Sequence, residues 1–397
     1  MRIARVIARL NVGGPAIQAV LLTHALQYQG HATVLACGNL PIGEGSAEYL
    51  AAEAGVPIYR IDGLSRSISL FDDLRAFLQI LRLIHRERPD IIHTHTAKAG
   101  TLGRLAAWLS RVPAIHTFHG HVFHGYFSSW KTRAVIAMER FLAKHTAAIV
   151  AISESQKRDL STVYQIAPAN KIHVVRLGFN LSPFAAVFQR RLRQVSPGAV
   201  RCGWVGRLTA IKDPCLFTAI AREWQRGQLA PASFTVFGDG ELRPEVAAAA
   251  AELGNEFQFA GWQRDTAAIY ECLDLLVLTS RNEGTPVAVI EAMASGCAVI
   301  AADVGGVADL MGEPKEHRGQ LTICAHGLLV RNRDPQSFAA ALAVLANDEP
   351  LRTNICEAAH QHVMSHYGQE RLVAEIIALY ESVLQRRATL AAAGARA

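Results

Sequence analysis

Short apolar segments, each long enough for one β-strand, alternate with helical segments along almost the whole chain. Six of them lie in each half, and each is followed by a turn signal. Continuous apolar runs of this length are typical of parallel strands that are buried on both faces. Strands are predicted at 2–8, 32–36, 91–94, 114–118, 147–152 and 172–176, and at 202–205, 234–237, 257–260, 275–278, 298–301 and 327–330.

The segments between these strands supply the crossover helices that a parallel sheet requires, with clear helical patterns at 71–88, 101–109 and 335–346. We therefore predict two doubly wound α/β domains that face each other across a cleft. A polar, Arg-rich stretch at 181–200, with Ser-Pro-Gly at 196–198, is predicted to be a hinge. Ligands of such sheets bind at the carboxyl ends of the strands, so functional residues are expected in the loops that follow them.

Composition limits where such a chain works. The 397 residues contain no run of about 18 uncharged apolar residues, so no transmembrane helix is expected. The first ten residues are too short and too charged for a signal peptide. Seven cysteines are scattered without a close pair, which favours a reduced, cytoplasmic protein over a disulfide framework.

Positive charge is concentrated in the first half. Residues 1–190 carry 21 Lys+Arg against 11 Asp+Glu, whereas the remainder carries 19 against 23. This asymmetry predicts an anionic partner, and the absence of any nucleic-acid-binding module argues against DNA or RNA. An anionic membrane surface or a phosphorylated acceptor fits better, because aromatic and basic side chains adjoin. Ordinary surface charge remains open. The aromatic and basic residues are Phe118, Phe123, Tyr126, Phe127, Trp130, Lys131, Arg133, Arg140 and Lys144.

Glu283 and Glu291 stand eight residues apart, the first in a Gly-Thr-Pro loop and the second on the helix that follows. Pro286 suits the first helical turn, and Gly296 suits its end. Free N–H groups and a partial positive charge at this helix N-terminus favour phosphate. Eight residues make little more than two turns, so one carboxylate can meet sugar hydroxyls and the other a ribose, with a diphosphate between them. Two solvated helix glutamates are the alternative.

Glycine-rich loops follow four other strands. Arg207 and Lys212 lie in the loop after 202–205, where a guanidinium can grip two phosphate oxygens and an ammonium acts as a point charge. Gly13 and Gly14 precede a helix that begins near Pro15, which lets the backbone turn sharply towards a ligand. The turns at Gly238 and Trp262 offer backbone groups to a ligand, although plain turns are equally compatible with them.

Six of the sixteen histidines lie between residues 93 and 124, among them His95, His119 and His121. A zinc site is one reading, but their spacing repeats no known ligand set, and no convincing Asp-x-Asp element occurs, so no metal is expected. His119 directly follows the strand at 114–118, where an imidazole can hydrogen-bond a hydroxyl in either protonation state.

In combination these motifs resemble the retaining GT-B glycosyltransferases of family 4, of the bacterial surface-polysaccharide kind. The resemblance runs from the Gly13-Gly14 loop to helices that end near Gln385, although Arg176-Leu-Gly-Phe-Asn180 departs from the commoner Pro-Asn-Gly-Val-Asp. It implies two Rossmann-like domains, with C-terminal helices packing back on the first. The expected boundaries are an acceptor domain at 1–185, a linker at 186–200, a donor domain at 201–370, a returning helix at 371–386 and a disordered tail at 387–397.

The resemblance implies a hexosyl transfer without metal or cofactor, from a UDP-hexose or UDP-N-acetylhexosamine to a hydroxyl of a glycan or polyprenyl-linked acceptor, at the inner face of the cell membrane. A UDP-N-acetylhexosamine epimerase of the same fold and a non-catalytic nucleotide-sugar-binding homologue are the alternatives. The implied catalytic residues are Glu283, His119, Arg207 and Lys212. The implied donor-binding residues are Gly13, Gly14, Arg207, Lys212, Gly238, Trp262, Glu283, Gly284, Thr285, Pro286, Val287 and Glu291. The implied acceptor-binding residues are His95, Lys98, His121 and Tyr126.

Overall fold

The chain forms two compact units, which are described separately. The first contains Met1–Phe179 and Gln369–Ala397, and the second contains Asn180–Gly368. The computed structural model describes residues 1–11, 13–40, 45–65, 69–120, 129–192, 199–227 and 231–394. Each unit is built on one largely parallel sheet with crossover helices, which confirms the predicted pair of doubly wound α/β domains.

The sheet of the first unit has seven strands, all paired in parallel. The strands are β1 (Arg2–Ile7), β2 (Ala32–Cys37), β3 (Ile58–Arg60), β4 (Ile91–His95), β5 (Ala114–Phe118), β6 (Ala148–Ala151) and β7 (Ile172–Val174). Their order is β3-β2-β1-β4-β5-β6-β7, so β1 lies near the middle and pairs with both β2 and β4. The carboxyl ends of β1, β4 and β5 therefore lie side by side.

Helices connect these strands, and their ends follow from local sequence. The helices of the first part of this unit are α1 (Gly14–Tyr28), α2 (Glu48–Glu53), α3 (Leu70–Glu87), α4 (Ala97–Leu109), α5 (Ser129–Lys144) and α6 (Glu154–Arg158). The hydroxyl of Ser69 caps α3 by accepting a hydrogen bond from the amide of Asp72. The Arg104 guanidinium and the Glu139 carboxylate form a buried ion pair that joins α4 to α5.

The sheet of the second unit has eight strands in the order β10-β9-β8-β11-β12-β15-β14-β13. The strands are β8 (Val200–Val205), β9 (Ala232–Phe237), β10 (Phe257–Gly261), β11 (Leu275–Leu278), β12 (Ala298–Ala302), β13 (Pro314–Arg318), β14 (Leu321–Cys324) and β15 (Leu328–Val330). β14 pairs antiparallel with both β13 and β15. β13 was not predicted because all five of its residues are exposed and none gives an apolar run.

The helices of the second unit pack on a core that includes Trp204, Phe217, Phe234 and Phe338. They are α7 (Ser182–Arg191), α8 (Pro214–Arg226), α9 (Arg243–Ala250), α10 (Thr266–Glu271), α11 (Val287–Ala294), α12 (Val307–Met311), α13 (Pro335–Asn347) and α14 (Glu349–His366). No helix among the residues described is long and apolar enough to cross a membrane.

The predicted linker at 186–200 is in part a helix. Helix α7 covers residues 182–191 and buries Phe184, Val187 and Phe188, which recur at helical spacing. The Phe188 ring stacks on His360 with centroids 3.8 Å apart. The second unit therefore begins at Asn180 rather than after residue 200, because these three apolar side chains pack into it.

The last helix, α15 (Gln369–Gly394), returns to the first unit, as the resemblance implied. Leu372, Ile376 and Tyr380 are buried in one cluster with Ile3 of β1 and Leu22 of α1. Helix α14 remains in the second unit, so only one C-terminal helix packs back. Residues 387–394 continue α15 instead of forming the predicted disordered tail.

Candidate active site

The loops that follow β8, β9 and β10 are bonded to one another through their backbones. The Gly206 amide donates to the Phe237 carbonyl at 3.0 Å, and the Gly238 amide donates to the Gly261 carbonyl at 2.8 Å. A Cβ atom on Gly238, whose φ is +130°, would lie 1.9 Å from the Gly206 carbonyl oxygen. Only glycine fits this contact, which holds the Arg207 loop against its neighbour.

Glu283 lies in the loop after β11 and is held by two donors. The Lys212 ammonium lies 2.5 Å from Glu283 Oε1, and the Ser280 hydroxyl donates to the same oxygen at 2.6 Å. Only 8% of the Glu283 side chain is exposed. The structure therefore brings together two of the predicted site residues. Ser280 was not predicted, although a hydroxyl residue directly after a buried strand end is a signal that could have found it.

A second glycine contact fixes the backbone at Glu283. Gly305 and Gly306 follow β12, and the Gly306 amide donates to the Glu283 carbonyl at 3.1 Å. A Cβ atom on Gly305, at φ +53°, would lie 2.0 Å from that carbonyl oxygen. The carboxylate of Glu283 is thus positioned from both its side chain and its backbone.

Two polar side chains of this unit lack a partner among the described residues. One is Thr285, whose Oγ1 is buried without a hydrogen bond to any of them. Pro286 is the N-cap of α11, at φ −71° and ψ 117°, rather than a residue of its first turn, so the helix begins at Val287 with Gly284 and Thr285 in the loop before it. The partly buried Arg207 guanidinium makes no ion pair or hydrogen bond with any other described residue. Such groups can bind the oxygens of an anionic ligand.

Glu291 has a partner of its own. It lies on α11 and is partly buried, and the Tyr270 hydroxyl of α10 donates to its Oε2 at 2.9 Å. Burial raises the pKa of Glu291 to about 7, and the hydrogen bond from Tyr270 acts in the opposite direction. Trp262, in the turn after β10, is 48% exposed and lies two strands away from Arg207 in the sheet order.

The predicted residues of the first unit also lie at the carboxyl edge of their sheet. Gly13 caps α1 after β1, with Gly14 as its first residue. His95 ends β4, His119 follows β5, and His95 Nδ1 lies 2.8 Å from His119 Nε2. His95 was predicted to contact the acceptor, and in the structure its side chain is fully buried and bonded to His119.

Lys98, which was also predicted to contact the acceptor, already has a partner in the structure. Its ammonium forms an ion pair with Asp73 of α3, and only 14% of its side chain is exposed. Thr96, just before it, adopts φ 68° and ψ 157°, a conformation that is strained for any residue except glycine and that is found mostly at functional sites. His121 and Tyr126 lie outside the described residues.

A buried guanidinium forms hydrogen bonds with two of the histidines. Arg5 of β1 is 1% exposed and bonds to His93, His95, Thr23 and Tyr380. Arg5 was not predicted as a site residue, although a charged residue within an apolar strand run is a recognisable signal. Tyr380, which lies 375 residues away along the chain, carries no such signal in its local sequence.

These histidines are neutral. Burial lowers the pKa of His93, His95 and His116 well below the ordinary value, and neighbouring positive groups act in the same direction. Burial and then the charge of Arg5 lower the pKa of His119 to about 3. Within the part of the chain that the structure describes, no three His, Cys, Asp or Glu side chains are grouped to hold a metal ion.

Comparison with known families matches both units. Residues 13–178 match the family described as glycosyl transferase 4-like domain, and residues 199–348 match glycosyl transferases group 1. The UDP-Gal:alpha-D-GlcNAc-diphosphoundecaprenol alpha-1,3-galactosyltransferase of Escherichia coli is 31% identical over 75% of this chain and 76% of its own length. A D-inositol 3-phosphate glycosyltransferase of Jonesia denitrificans is 29% identical over 74% and 71%.

Solved structures share the fold at low sequence identity. Anabaena HepE in complex with UDP is 19% identical, with a TM-score of 0.75 over 96% of this chain and 100% of its own. A glycosyltransferase from Rickettsia africae is also 19% identical, with a TM-score of 0.74 over 96% and 98%. These matches show that the two sheets follow a known two-domain fold.

The buried histidines predict an acid-sensitive first unit. His93, His95, His116 and His119 stay neutral when folded but bind protons below their ordinary pKa near 6.5 when unfolded. The unfolded state therefore binds more protons, and stability falls as pH decreases from 6.5. Between pH 6.5 and 5.5 each histidine lowers the free energy of unfolding by about 1 kcal/mol, so the four together lower it by roughly 4 kcal/mol.

Hydrogen exchange of β4 and β5 peptides at a series of pH values, corrected for intrinsic exchange, measures this effect. Replacement of the exposed His24 by Asn is the control and leaves the slope unchanged. A free energy of unfolding that stays constant between pH 6.5 and 5.5 contradicts the neutral cluster.

Proposed function

The chain belongs to the family 4 glycosyltransferases of the GT-B fold, and from that membership we propose that it transfers a hexosyl unit from a UDP-sugar to a hydroxyl of a lipid-linked or glycan acceptor with retention of configuration. Family membership favours transfer over epimerisation. The intact group of Glu283, Lys212 and Arg207 argues against a non-catalytic homologue.

UDP is supported as the nucleotide by two relatives. The name of the Escherichia coli enzyme includes UDP-Gal, and Anabaena HepE has been crystallised with UDP and with UDP-glucose. In the proposed complex, Arg207, Lys212 and the donors at the start of α11 bind the diphosphate. Glu291 accepts from the ribose hydroxyls, and the turns at Gly238 and Trp262 receive the base. Gly13 and Gly14, at the start of α1, remain proposed donor-binding residues.

The observation that carries the proposal is the fixed carboxylate of Glu283 between Lys212 and Ser280. A carboxylate held in this way can orient a sugar through its hydroxyls. Double displacement requires two carboxyls about 5 Å apart across the anomeric carbon, but Glu291 is bonded separately to Tyr270. We therefore favour reaction on one face of the sugar, in which the leaving diphosphate accepts the proton of the acceptor.

Stabilisation of the leaving diphosphate is assigned to protein cations in this mechanism. Arg207 and Lys212 place positive charge where negative charge develops, which is the role that a bound metal ion has in other transferases. The reaction is accordingly proposed to need no metal and no cofactor. His119 remains a proposed contact of the donor sugar.

A lipid-linked acceptor is supported by the Escherichia coli relative, whose name specifies a diphosphoundecaprenol acceptor. Lys98, His121 and Tyr126 remain the proposed acceptor contacts. Such an acceptor would bring the first unit to an anionic membrane, and the exposed residues of α4 and α5 suit that surface. We call this the α4–α5 surface and define it as Trp108, Leu109, Trp130, Lys131, Arg133, Met138, Arg140, Phe141 and Lys144.

The α4–α5 surface combines aromatic and basic groups. Trp130 is 67% exposed, and the Lys131 ammonium lies 5.5 Å from the centre of its ring. The rings of Trp108 and Phe141 meet edge to face, with centroids 5.9 Å apart. Aromatic rings at the interface with cations directed to lipid phosphates would give peripheral binding at the inner face of the membrane.

Replacement of Glu283 by Gln is expected to lower kcat about 100- to 1,000-fold, because the group that positions the reacting sugar loses its charge. UDP binding, measured by thermal shift, should change little. The exposed Glu349→Gln variant is the matched control.

The original protein and the Glu283→Gln variant are both assayed in the presence of EDTA. Activity of Glu283→Gln within threefold of the original protein would remove Glu283 from the site. A loss in EDTA that one divalent cation restores would contradict metal independence.

Arg207→Ala is expected to weaken UDP binding roughly 10- to 100-fold and to leave uridine binding unchanged, because its partners are phosphate oxygens. Arg207 is a cleaner test than Lys212, which also holds Glu283. Arg226→Ala, on the exposed end of α8, is the control for lost charge. Equal losses for UDP and uridine contradict the diphosphate assignment.

Sedimentation with vesicles tests the α4–α5 surface. The protein is expected to bind acidic but not neutral vesicles, and less as salt rises, because exposed charges are screened beyond about 10 Å at about 0.1 M. Binding to acidic vesicles should be lost when four basic residues are replaced by Gln, namely Lys131, Arg133, Arg140 and Lys144. The control places Gln at four exposed arginines of the second unit, Arg226, Arg264, Arg318 and Arg331. Equal binding to both kinds of vesicle, or to neither, contradicts the membrane proposal.

A further inference from the structure

Arg5 fixes the direction of every hydrogen bond around it, because a guanidinium has five N–H donors and no acceptor. Its Nη1 atom lies 3.2 Å from His93 Nδ1 and 3.1 Å from His95 Nε2. Each of these ring nitrogens must therefore accept, and each carries a lone pair rather than a proton. The two histidines are consequently opposite tautomers.

The N–H group of His93 donates its hydrogen bond away from the loops at the sheet edge. His93 carries it on Nε2 and donates to the Thr117 hydroxyl at 2.7 Å. The Tyr380 hydroxyl, 2.6 Å from His93 Nδ1, shares the lone pair of that nitrogen with Arg5 Nη1 as a second donor, and it accepts from Arg5 Nη2 at 3.3 Å. This branch ends within the core of the first unit.

The N–H group of His95 donates its hydrogen bond to His119. His95 accepts from Arg5 on Nε2, so its proton is on Nδ1, and it donates to His119 Nε2 at 2.8 Å. His119 must then accept on Nε2 and carry its own proton on Nδ1. That Nδ1 atom is buried and has no hydrogen-bond partner among the described residues. A buried N–H without a partner is costly, and a bound oxygen would remove that cost.

We propose that Arg5 and His95 are positioning residues, which hold His119 as an Nδ1–H donor to an oxygen of a substrate bound at this edge of the first sheet. The inference rests on the proposed function for the identity of that ligand. The order of donors and acceptors rests only on the geometry of Arg5, His95 and His119.

This arrangement limits what His119 can do. Its one lone pair is occupied by the N–H of His95, so it cannot accept a proton from the acceptor hydroxyl. It serves only as a donor. The charged groups around it are consistent with this role, because burial and the nearby Arg5 lower the pKa of His119 to about 3, and His93 and His116 are neutral too. The proton released by the acceptor must therefore go elsewhere, as in transfer to the leaving diphosphate.

Nitrogen NMR of the intact protein labelled with 15N-histidine tests the tautomer directly. The His119 signals are assigned by their loss in His119→Asn. We expect a neutral ring protonated on Nδ1, unchanged from pH 8 to pH 5.5. Protonation on Nε2, or titration of His119 near pH 6.5, overturns the inference. This readout needs no substrate, so it stands even if no nucleotide sugar proves active, an outcome that would contradict only the proposed function.

Two substitutions at one position test the positioning role. The amide nitrogen of asparagine lies near the place of histidine Nδ1, whereas that of glutamine lies near Nε2. His95→Asn therefore keeps a donor to His119 and is expected to retain kcat/KM for the donor sugar within about threefold. His95→Gln loses this donor and is expected to fall about tenfold, the worth of one hydrogen bond.

His93→Asn is the matched control, because His93 is equally buried and accepts from the same Arg5 atom but does not contact His119. It should stay within threefold. If His95→Asn and His95→Gln are equally active, or equally impaired while both remain folded, the positioning role is wrong. Should these variants fail to fold, the tautomer of the unmodified protein still decides.

Discussion

The first unit is organised around the charge of Arg5. The guanidinium is buried, and no carboxylate among the described residues pairs with it. Burying an uncompensated cation is costly, so every nearby polar atom must accept from it. The acceptors come from α1, β4 and α15, which ties three separate elements to the middle of the sheet. The same requirement keeps the histidines neutral, since a protonated ring could not accept.

The second unit holds the opposite charge at the equivalent edge of its sheet. Glu283 is nearly buried, but Lys212 compensates it and Ser280 completes its hydrogen bonds. An ammonium has three N–H donors, so in the proposed complex Lys212 would bind the diphosphate and still hold Glu283 in place for the sugar hydroxyls. The Arg207 guanidinium, which has no partner among the described residues, would bind the phosphate with all of its donors.

All twelve predicted strands are present, because a run of apolar residues reports burial on both faces. The edge strands β3 and β13 escaped prediction, since an edge strand needs no such run. β14 was also missed, although its four residues are buried and it lies between β13 and β15. Site residues likewise could be predicted only where a local sequence pattern marks them. Glu283, Lys212 and Arg207 belong to loops with their own local pattern, whereas Tyr270 and Tyr380 meet their partners only through the fold. No local pattern links Tyr380 to Arg5 across 375 residues.

The return of α15 to the first unit sets an order for synthesis on the ribosome. Residues 1–179 emerge first, but Ile3, Leu22 and Ile91 stay without the apolar side chains of α15 until the whole second unit has been translated. At roughly 5–20 residues per second this interval lasts on the order of 10–40 s. During it, Arg5 also lacks the Tyr380 hydroxyl. The core of the first unit is therefore completed last, and the second unit is the part able to complete its core first.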